Sequence, residues 1–288
     1  MTLVPATDPG TRVAATVAAI RERTPLMPRL AVVLGSGLGA ALAPPADAVV
    51  LATGELPHWP RSTVSGHAGR LTLGRWHGLP VALLSGRVHR YEGYPLDVVT
   101  HPVRVLRALG AGTMIFTNAA GAIHHEFLPG DLVLASDHIN LIGKHGLFTP
   151  REIDERRAGR RIAHAHSPRL AALLLDAARA AGVPLRRGTL LGFHGPSYET
   201  AAEIRMAAKM GADVVCMSTV HEVTLAAELG AECAAISCVT NLATGRAGVP
   251  LSHAEVEENA RHGAASLGLL LDRLVRTLEG DAGERPRA

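Results

Sequence analysis

The sequence predicts an α/β fold, a mixed or mostly parallel sheet covered by helices. Three observations carry that expectation. Short apolar runs bounded by turn residues recur along the chain, amphipathic helical patterns separate them in the later half, and several runs end in Gly, Ser, Asn or Thr. In such folds ligands gather where strands end at their carboxyl termini. The 288 residues are 47% hydrophobic and 19% charged, enough to bury a large core in one domain. One domain is expected over residues 1–280, with a disordered tail over 281–288.

The N-terminus, MTLVPATDPGTRVAATVAAIRER, is interrupted by acid and proline and reads as a loop followed by a short amphipathic helix, not as an export leader. Strands are expected at residues 30–34 (LAVVL), 70–74 (RLTLG), 80–85 (PVALLS) and 113–117 (TMIFT), and again at 131–135, 189–193, 213–217 and 233–239. Helical patterns occupy 96–109, 168–181, 200–210, 219–229 and 253–278, with Pro102 kinking the first. Residues 143–166, GKHGLFTPREIDERRAGRRIAHAH, are polar enough to read as a mobile loop.

Composition narrows the function. The formal charge of +3 comes from scattered arginines without interleaved aromatics, so no nucleic-acid partner is expected. No apolar stretch is long enough to span a membrane. Cys216, Cys233 and Cys238 are odd in number and lack CxxC spacing, which argues against a disulfide framework or thiolate metal site and fits a reducing cytoplasm. The histidines form neither HExxH nor a closely spaced set with cysteines, so no metal is expected. No GxSxG elbow is present, which argues against a serine nucleophile.

The most informative segment is GPSYETAAEIRMAAKMGADVVCMSTVHEV, residues 195–223. It delivers the ring of Tyr198, the carboxylate of Glu199, Met217 and the hydroxyl of Ser218 near strand ends, a set suited to a flat nitrogen-rich ring joined to an anion. RLAVVLGSGLGAAL runs a strand into a glycine turn whose N–H groups and Ser36 hydroxyl suit an anion. That turn has two other readings. One is an ordinary tight turn; the other is a dinucleotide fingerprint, with Gly35, Gly37 and Ala40 in GxGxxA spacing and Glu55 as the ribose acid, against which Pro44 and Pro45 stand as early helix stops.

SGHAGRL brings His67, and SGRVHRYEGYP brings Arg87, His89, Tyr91 and Glu92 to the end of an apolar strand. Arg87 offers paired planar donors for phosphate, and His89 can donate a hydrogen bond to it. TMIFTNAAGAI delivers Thr117 and Asn118, then a small-residue turn at Ala119, Ala120 and Gly121 where a ligand can approach the main chain. AAISCVTNLATG ends similarly at Asn241, an amide donor and acceptor. Taken singly, each of these residues also reads as an ordinary surface, turn or core residue.

Together GSGLG, SGHAGRL, GRVHRYEGYP, TNAAGAI, GDLVLASDHINLIG, GPSYET, GADVVCMSTVHEV and VTNLATG, in this order over about residues 30–262, resemble the trimeric purine nucleoside phosphorylases. The resemblance implies one α/β domain with a mixed, partly barrel-like central sheet flanked by helices. It implies phosphate-dependent cleavage of 6-oxopurine (deoxy)ribonucleosides such as inosine and guanosine to free base and α-(deoxy)ribose 1-phosphate in purine salvage, inorganic phosphate as co-substrate, no cofactor, and a homotrimer. By resemblance, Ser36, Arg87, His89, the N–H of Ala119 and Ser218 hold phosphate, with His67 nearby. Glu199 and Asn241 act on the base with Tyr198 packed on its face, and Tyr91, Met217 and His253 contact the sugar. Asn241, Glu199 and His89 are then the catalytic residues.

One segment departs from the family. GRRIAHAHSP has Ile162 where family members often carry an aromatic that reaches a neighbouring subunit's sugar, with Phe148 as a substitute. Four rival readings remain: a xanthosine-preferring phosphorylase; a methylthioadenosine phosphorylase, which favours aspartate at the position of Asn241; a nicotinamide oxidoreductase; and a non-catalytic nucleoside binder.

Overall fold

The computed structural model describes residues 8–39, 42–64, 69–157, 165–246 and 253–283. Helix α1 (Pro9–Arg21) precedes strands β1 (Leu30–Leu34), β2 (Ala46–Ala52), β3 (Arg70–Trp76) and β4 (Leu79–Ser85). Helices α2 (Leu96–Val99) and α3 (His101–Leu109) lead to β5 (Thr113–Ala122), β6 (Leu132–Asn140), α4 (Pro150–Arg157), α5 (Pro168–Ala181) and β7 (Leu185–Gly192). Then follow α6 (Ala201–Lys209), β8 (Val214–Cys216), α7 (Val220–Glu228), β9 (Glu232–Leu242) and α8 (His253–Gly283).

The strands form one sheet in the order β2-β3-β4-β1-β5-β8-β7-β6-β9, and β9 returns to pair with β5. The last five therefore close into a barrel, and the first four extend from it as an open wing. Pairing is mixed: β5–β9, β6–β7 and β7–β8 are parallel, whereas β5–β8 and β6–β9 are antiparallel. This is the mixed, partly barrel-like sheet that the resemblance implies. Closure leaves the five barrel strands without a free edge.

Burial explains the layering. Every residue of β1 is buried, as a parallel strand covered on both faces requires. One face of the sheet packs against α1, α3 and α7 through Ile20, Leu106 and Val223. The other packs against α5 and α8 through Leu170, Leu174, Leu267 and Leu271. Ser167 caps α5 by accepting from the Leu170 N–H at 3.0 Å, and Gly182 ends it with φ of 66°. No described helix is long and apolar enough to cross a membrane.

Several expectations need correction. The helix over 96–109 is two helices broken at Thr100, which places Pro102 in the first turn of α3, where its missing N–H leaves no bond unmade. The polar segment 143–166 contains α4. Its N-terminus is closed by Thr149 and Glu152, the Thr149 N–H donating to Glu152 at 2.7 Å, and Arg104 of α3 donates to both oxygens of Glu152 at 2.5 and 2.9 Å. Ile162 lies outside the described residues, and Phe148 packs half-buried against the core. Strand β2, which no sequence pattern marked, is an exposed edge where Val50 is 54% exposed.

Strands β5 and β9 run through the residues expected to form turns after 117 and 239. Helix α8 continues to Gly283, into the expected tail, and residues 284–288 lie outside the described residues. The dinucleotide reading fails on length: only six residues separate the turn at Gly39 from β2, and β2 pairs antiparallel with β3 instead of completing a parallel βαβ unit.

Gly192, the last residue of β7, faces the start of α7. An added Cβ would fall inside contact distance of Val220 Cγ2 and 3.2 Å from Ile142 Cδ1. Gly192→Ala is expected to cost about 1–3 kcal/mol through overpacking, seen as a lower thermal midpoint. An unchanged midpoint would show that α7 yields freely at this contact.

Candidate active site

A cleft of about 120 Å³ opens where β5, β8 and β9 meet the segments that follow β1, β4 and β7. Its lining includes Ser36 after β1, Arg87 and His89 after β4, Ala119 on β5, and Ser218 before α7. It also includes Tyr198 and Glu199 before α6, Met217 after β8, and Asn241 on β9. Tyr91 stands beside this lining, its ring stacked on His89 with centroids 4.7 Å apart. His67 lies outside the described residues, and His253 begins α8 with its side chain outside them.

Arg87 and the Ser36 and Ser218 hydroxyls offer donors suited to an anion. Gly35 has no space for a side chain, since a Cβ would lie 2.8 Å from Asn118 Cα; its N–H donates to Thr117 Oγ1 at 3.1 Å, pinning the Ser36 turn to β5. Arg87 is buried, and its Nη1 donates to the Thr117 carbonyl at 2.8 Å. Ser218 sits at the N-terminus of α7, whose dipole favours negative charge. The intervening Thr219 has φ of 66°, a left-handed conformation rare for a branched residue, and receives a hydrogen bond from Asn118 Nδ2 at 3.1 Å.

Glu92 organises His89. The carboxylate accepts from the His89 backbone N–H at 2.7 Å and lies 3.2 Å from Nδ1. An ionised carboxylate only accepts, so Nδ1 carries the proton and Nε2 points away from Glu92. Burial alone would raise the Glu92 carboxyl, but hydrogen bonds from His89 and Thr63 hold it down at about 2. It is therefore ionised throughout the neutral range.

Asn241 is placed by a bulge. Between Ala120 and Gly121 the β5–β9 register shifts so that Ala120 faces Val239 and Gly121 faces Asn241, leaving Thr240 as the extra residue. Such a bulge re-aims a side chain within an otherwise regular ladder. Thr240 donates its hydroxyl to Asn241 Oδ1 at 2.9 Å, and Asn241 Nδ2 donates to the Leu242 carbonyl at 3.1 Å, which fixes the amide orientation. Ala119, Ala120, Gly121 and Asn241 thus act from strands, not from turns. Glu199 is buried, and burial pushes its carboxyl above the ordinary carboxylate range. Gly195 has φ of 69° and leaves no room for a Cβ, which would lie 2.5 Å from Met217 Sδ and 2.9 Å from Tyr91.

Sequence reasoning missed three imidazoles, the half-buried His138 and the buried His166 and His221, because no metal-binding or catalytic spacing joins them in the chain. His138 Nδ1 is 3.0 Å from His166 Nε2, and its Nε2 is 3.2 Å from Thr224 Oγ1. Burial lowers all three members, His138, His166 to about 4 and His221 to about 3. They are neutral at ordinary pH.

Residues 29–276 match the Phosphorylase superfamily. Purine nucleoside phosphorylase 1 of Geobacillus stearothermophilus is 40% identical over 259 residues, 90% of this chain and 94% of that protein. The chain belongs to the purine nucleoside phosphorylase family. The purine nucleoside phosphorylase of Mycobacterium tuberculosis is 43% identical over 243 residues, covering 84% of this chain and 87% of its own. The crystal structure of the Schistosoma mansoni purine nucleoside phosphorylase in complex with adenosine superposes with a TM-score of 0.85 at 30% identity, over 93% of this chain and 97% of that one.

Family membership makes the chain an enzyme and the cleft its candidate active site. Thr240 is the residue there that sequence reasoning left unassigned and that bears most directly on the amide of Asn241. Thr240→Val keeps the shape and removes the hydroxyl. Losing one hydrogen bond of about 0.5–1.5 kcal/mol should lower kcat/KM for a purine nucleoside by roughly 3- to 10-fold while leaving the phosphate KM unchanged. Equal losses in both would place Thr240 in general packing instead.

Proposed function

We propose that the cleft binds a 6-oxopurine (deoxy)ribonucleoside, such as inosine or guanosine, together with inorganic phosphate. Phosphate oxygen attacks the anomeric carbon as the C–N bond breaks, and the bonding pair leaves with the purine, giving free base and α-(deoxy)ribose 1-phosphate with inversion. The observation that carries this reading is the make-up of one cleft, which holds the anion-binding groups of Arg87, His89 and Ser218 together with the buried carboxylate of Glu199 and the oriented amide of Asn241. A protein that merely held a nucleoside would not need the anion-binding groups. Phosphate is the co-substrate, and no cofactor is required.

The glycosidic bond breaks toward an oxocarbenium-like transition state. Phosphate on Ser36, Arg87, His89, the Ala119 N–H and Ser218 places negative charge near the developing cation, with His67 nearby. The purine gains electron density. Asn241 Oδ1 accepts from protonated N7, and ionised Glu199 accepts from N1–H and, in guanine, from the exocyclic amine. Tyr198 packs on the base, while Tyr91, Met217 and His253 bind the sugar. Adenine has no N1 hydrogen, so ionised Glu199 would face a lone pair, and hydrogen-bonded sites reject such analogues by roughly 10⁴-fold.

The raised carboxyl of Glu199 supports a second, minor activity. A protonated carboxyl donates, and would satisfy the bare N1 of adenine. As pH falls through the raised pKa, kcat/KM for inosine should fall while adenosine gains relative to it. Glu199→Gln should remove that crossover.

The chain acts as a homotrimer in the cytoplasm. Three free buried thiols suit a reducing compartment. Met206 of α6 and Met210, the residue that caps its C-terminus, are 42% and 45% exposed and offer an apolar patch. The deciding assay is base release from inosine, guanosine, adenosine, xanthosine and methylthioadenosine, with and without phosphate. Phosphate-dependent cleavage of inosine and guanosine is expected, slowed by Glu199→Gln and Asn241→Ala, with Arg87→Ala mainly weakening phosphate use. Efficient cleavage of xanthosine or methylthioadenosine at neutral pH would overturn the assigned specificity, and no cleavage of any substrate would overturn the reaction.

A further inference from the structure

Glu222 has no place in the chemistry above, yet it is 4% exposed in the first turn of α7. An acid at that position normally meets the helix dipole from solvent. A buried carboxylate instead needs a compensating charge, because desolvation costs several kcal/mol per ion. Its ion-pair partner among the described residues is Arg87, with Glu222 Oε2 3.2 Å from Nη2 and off the hydrogen-bond line, both side chains at most 5% exposed. The other terminal nitrogen of Arg87 donates to the Thr117 carbonyl of β5.

The guanidinium fork is therefore held by β5 on one side and α7 on the other. Those two elements also position Ala119 and Ser218 in the cleft. Arg87 itself arrives on the segment after β4, which shares neither element. Its charge thus lies between the strand that carries Ala119 and the helix that follows Ser218.

We propose that Glu222 is a positioning residue for phosphate, acting through Arg87. The proposal rests on the phosphorolysis reading for its kinetic test and on phosphate binding alone for its equilibrium test. Glu222→Ala should raise the phosphate KM, and the Kd measured calorimetrically with inorganic phosphate, by roughly 10-fold, leaving the inosine KM within about twofold. Glu222→Gln, whose amide oxygen can present a partial negative charge to the guanidinium at the same place, should recover much of the loss. In an Arg87→Ala background, adding Glu222→Ala should change the phosphate KM by less than about twofold, because the pair acts as one unit.

A generic structural role would instead raise both KM values, and the two substitutions would add; that pattern overturns the proposal. Tighter phosphate binding in Glu222→Gln would overturn it too, since Glu222 would then act only as an opposing charge. Should Glu222→Ala fail to fold, Glu222→Gln and the double variant carry the comparison, and an unchanged phosphate Kd in Glu222→Gln refutes the role. If the wild-type chain cleaves no nucleoside, the phosphorolysis reading fails, while calorimetry still decides what Glu222 does.

Discussion

The pairing of β5 with β9 is the constraint on which the remaining structure depends. It closes the five-strand ring, and its single register shift opens the ladder at Ala120 and Gly121. A regular parallel ladder would place Asn241 elsewhere relative to Gly121. With Thr240 as the extra residue, Asn241 faces the glycine closely enough that a Cβ at Gly121 would lie 3.1 Å from Nδ2. Barrel closure and the orientation of the amide therefore have one cause.

The anion-binding groups have their own logic. Neither Arg87 nor His89 is left to its own flexibility: Arg87 has Glu222 behind it, and His89 has Glu92. Such pairs add little net stability, because desolvation offsets much of the attraction. Their value is preorganisation, which removes the need to reorder side chains as charge develops. Thr219 contributes in the same way, since its left-handed backbone turns Ser218 into the cleft just before α7 begins.

Much of this was legible in the sequence where a local pattern carried the information. β1, β4 and α5 follow from LAVVL, VALLS and PRLAALLLDAARAA, whose apolar spacing is set by burial alone. β5 and β9 were cut short because Asn-Ala-Ala-Gly and Thr-Asn resemble turns, and only pairing with a distant strand keeps them extended. α4 was hidden because its stabilising partner, Arg104, lies 48 residues away. β2 was hidden because an exposed edge needs no apolar alternation. The cleft residues were recognised through the ordered set of motifs, whereas Thr240 and Glu222 act on other side chains and leave no motif of their own.

The buried imidazoles give the fold a particular relation to the proton. His101, against Thr16 and lowered to about 4 by burial and then by Arg12, joins His138, His166 and His221 in staying neutral inside the folded chain. Once unfolded, each returns to an ordinary value near 6.5. Above that pH neither state binds the proton and the fold keeps its full stability. Between about pH 6.5 and pH 4 the unfolded chain takes up protons that the native one refuses, so acid acts as a ligand for disorder.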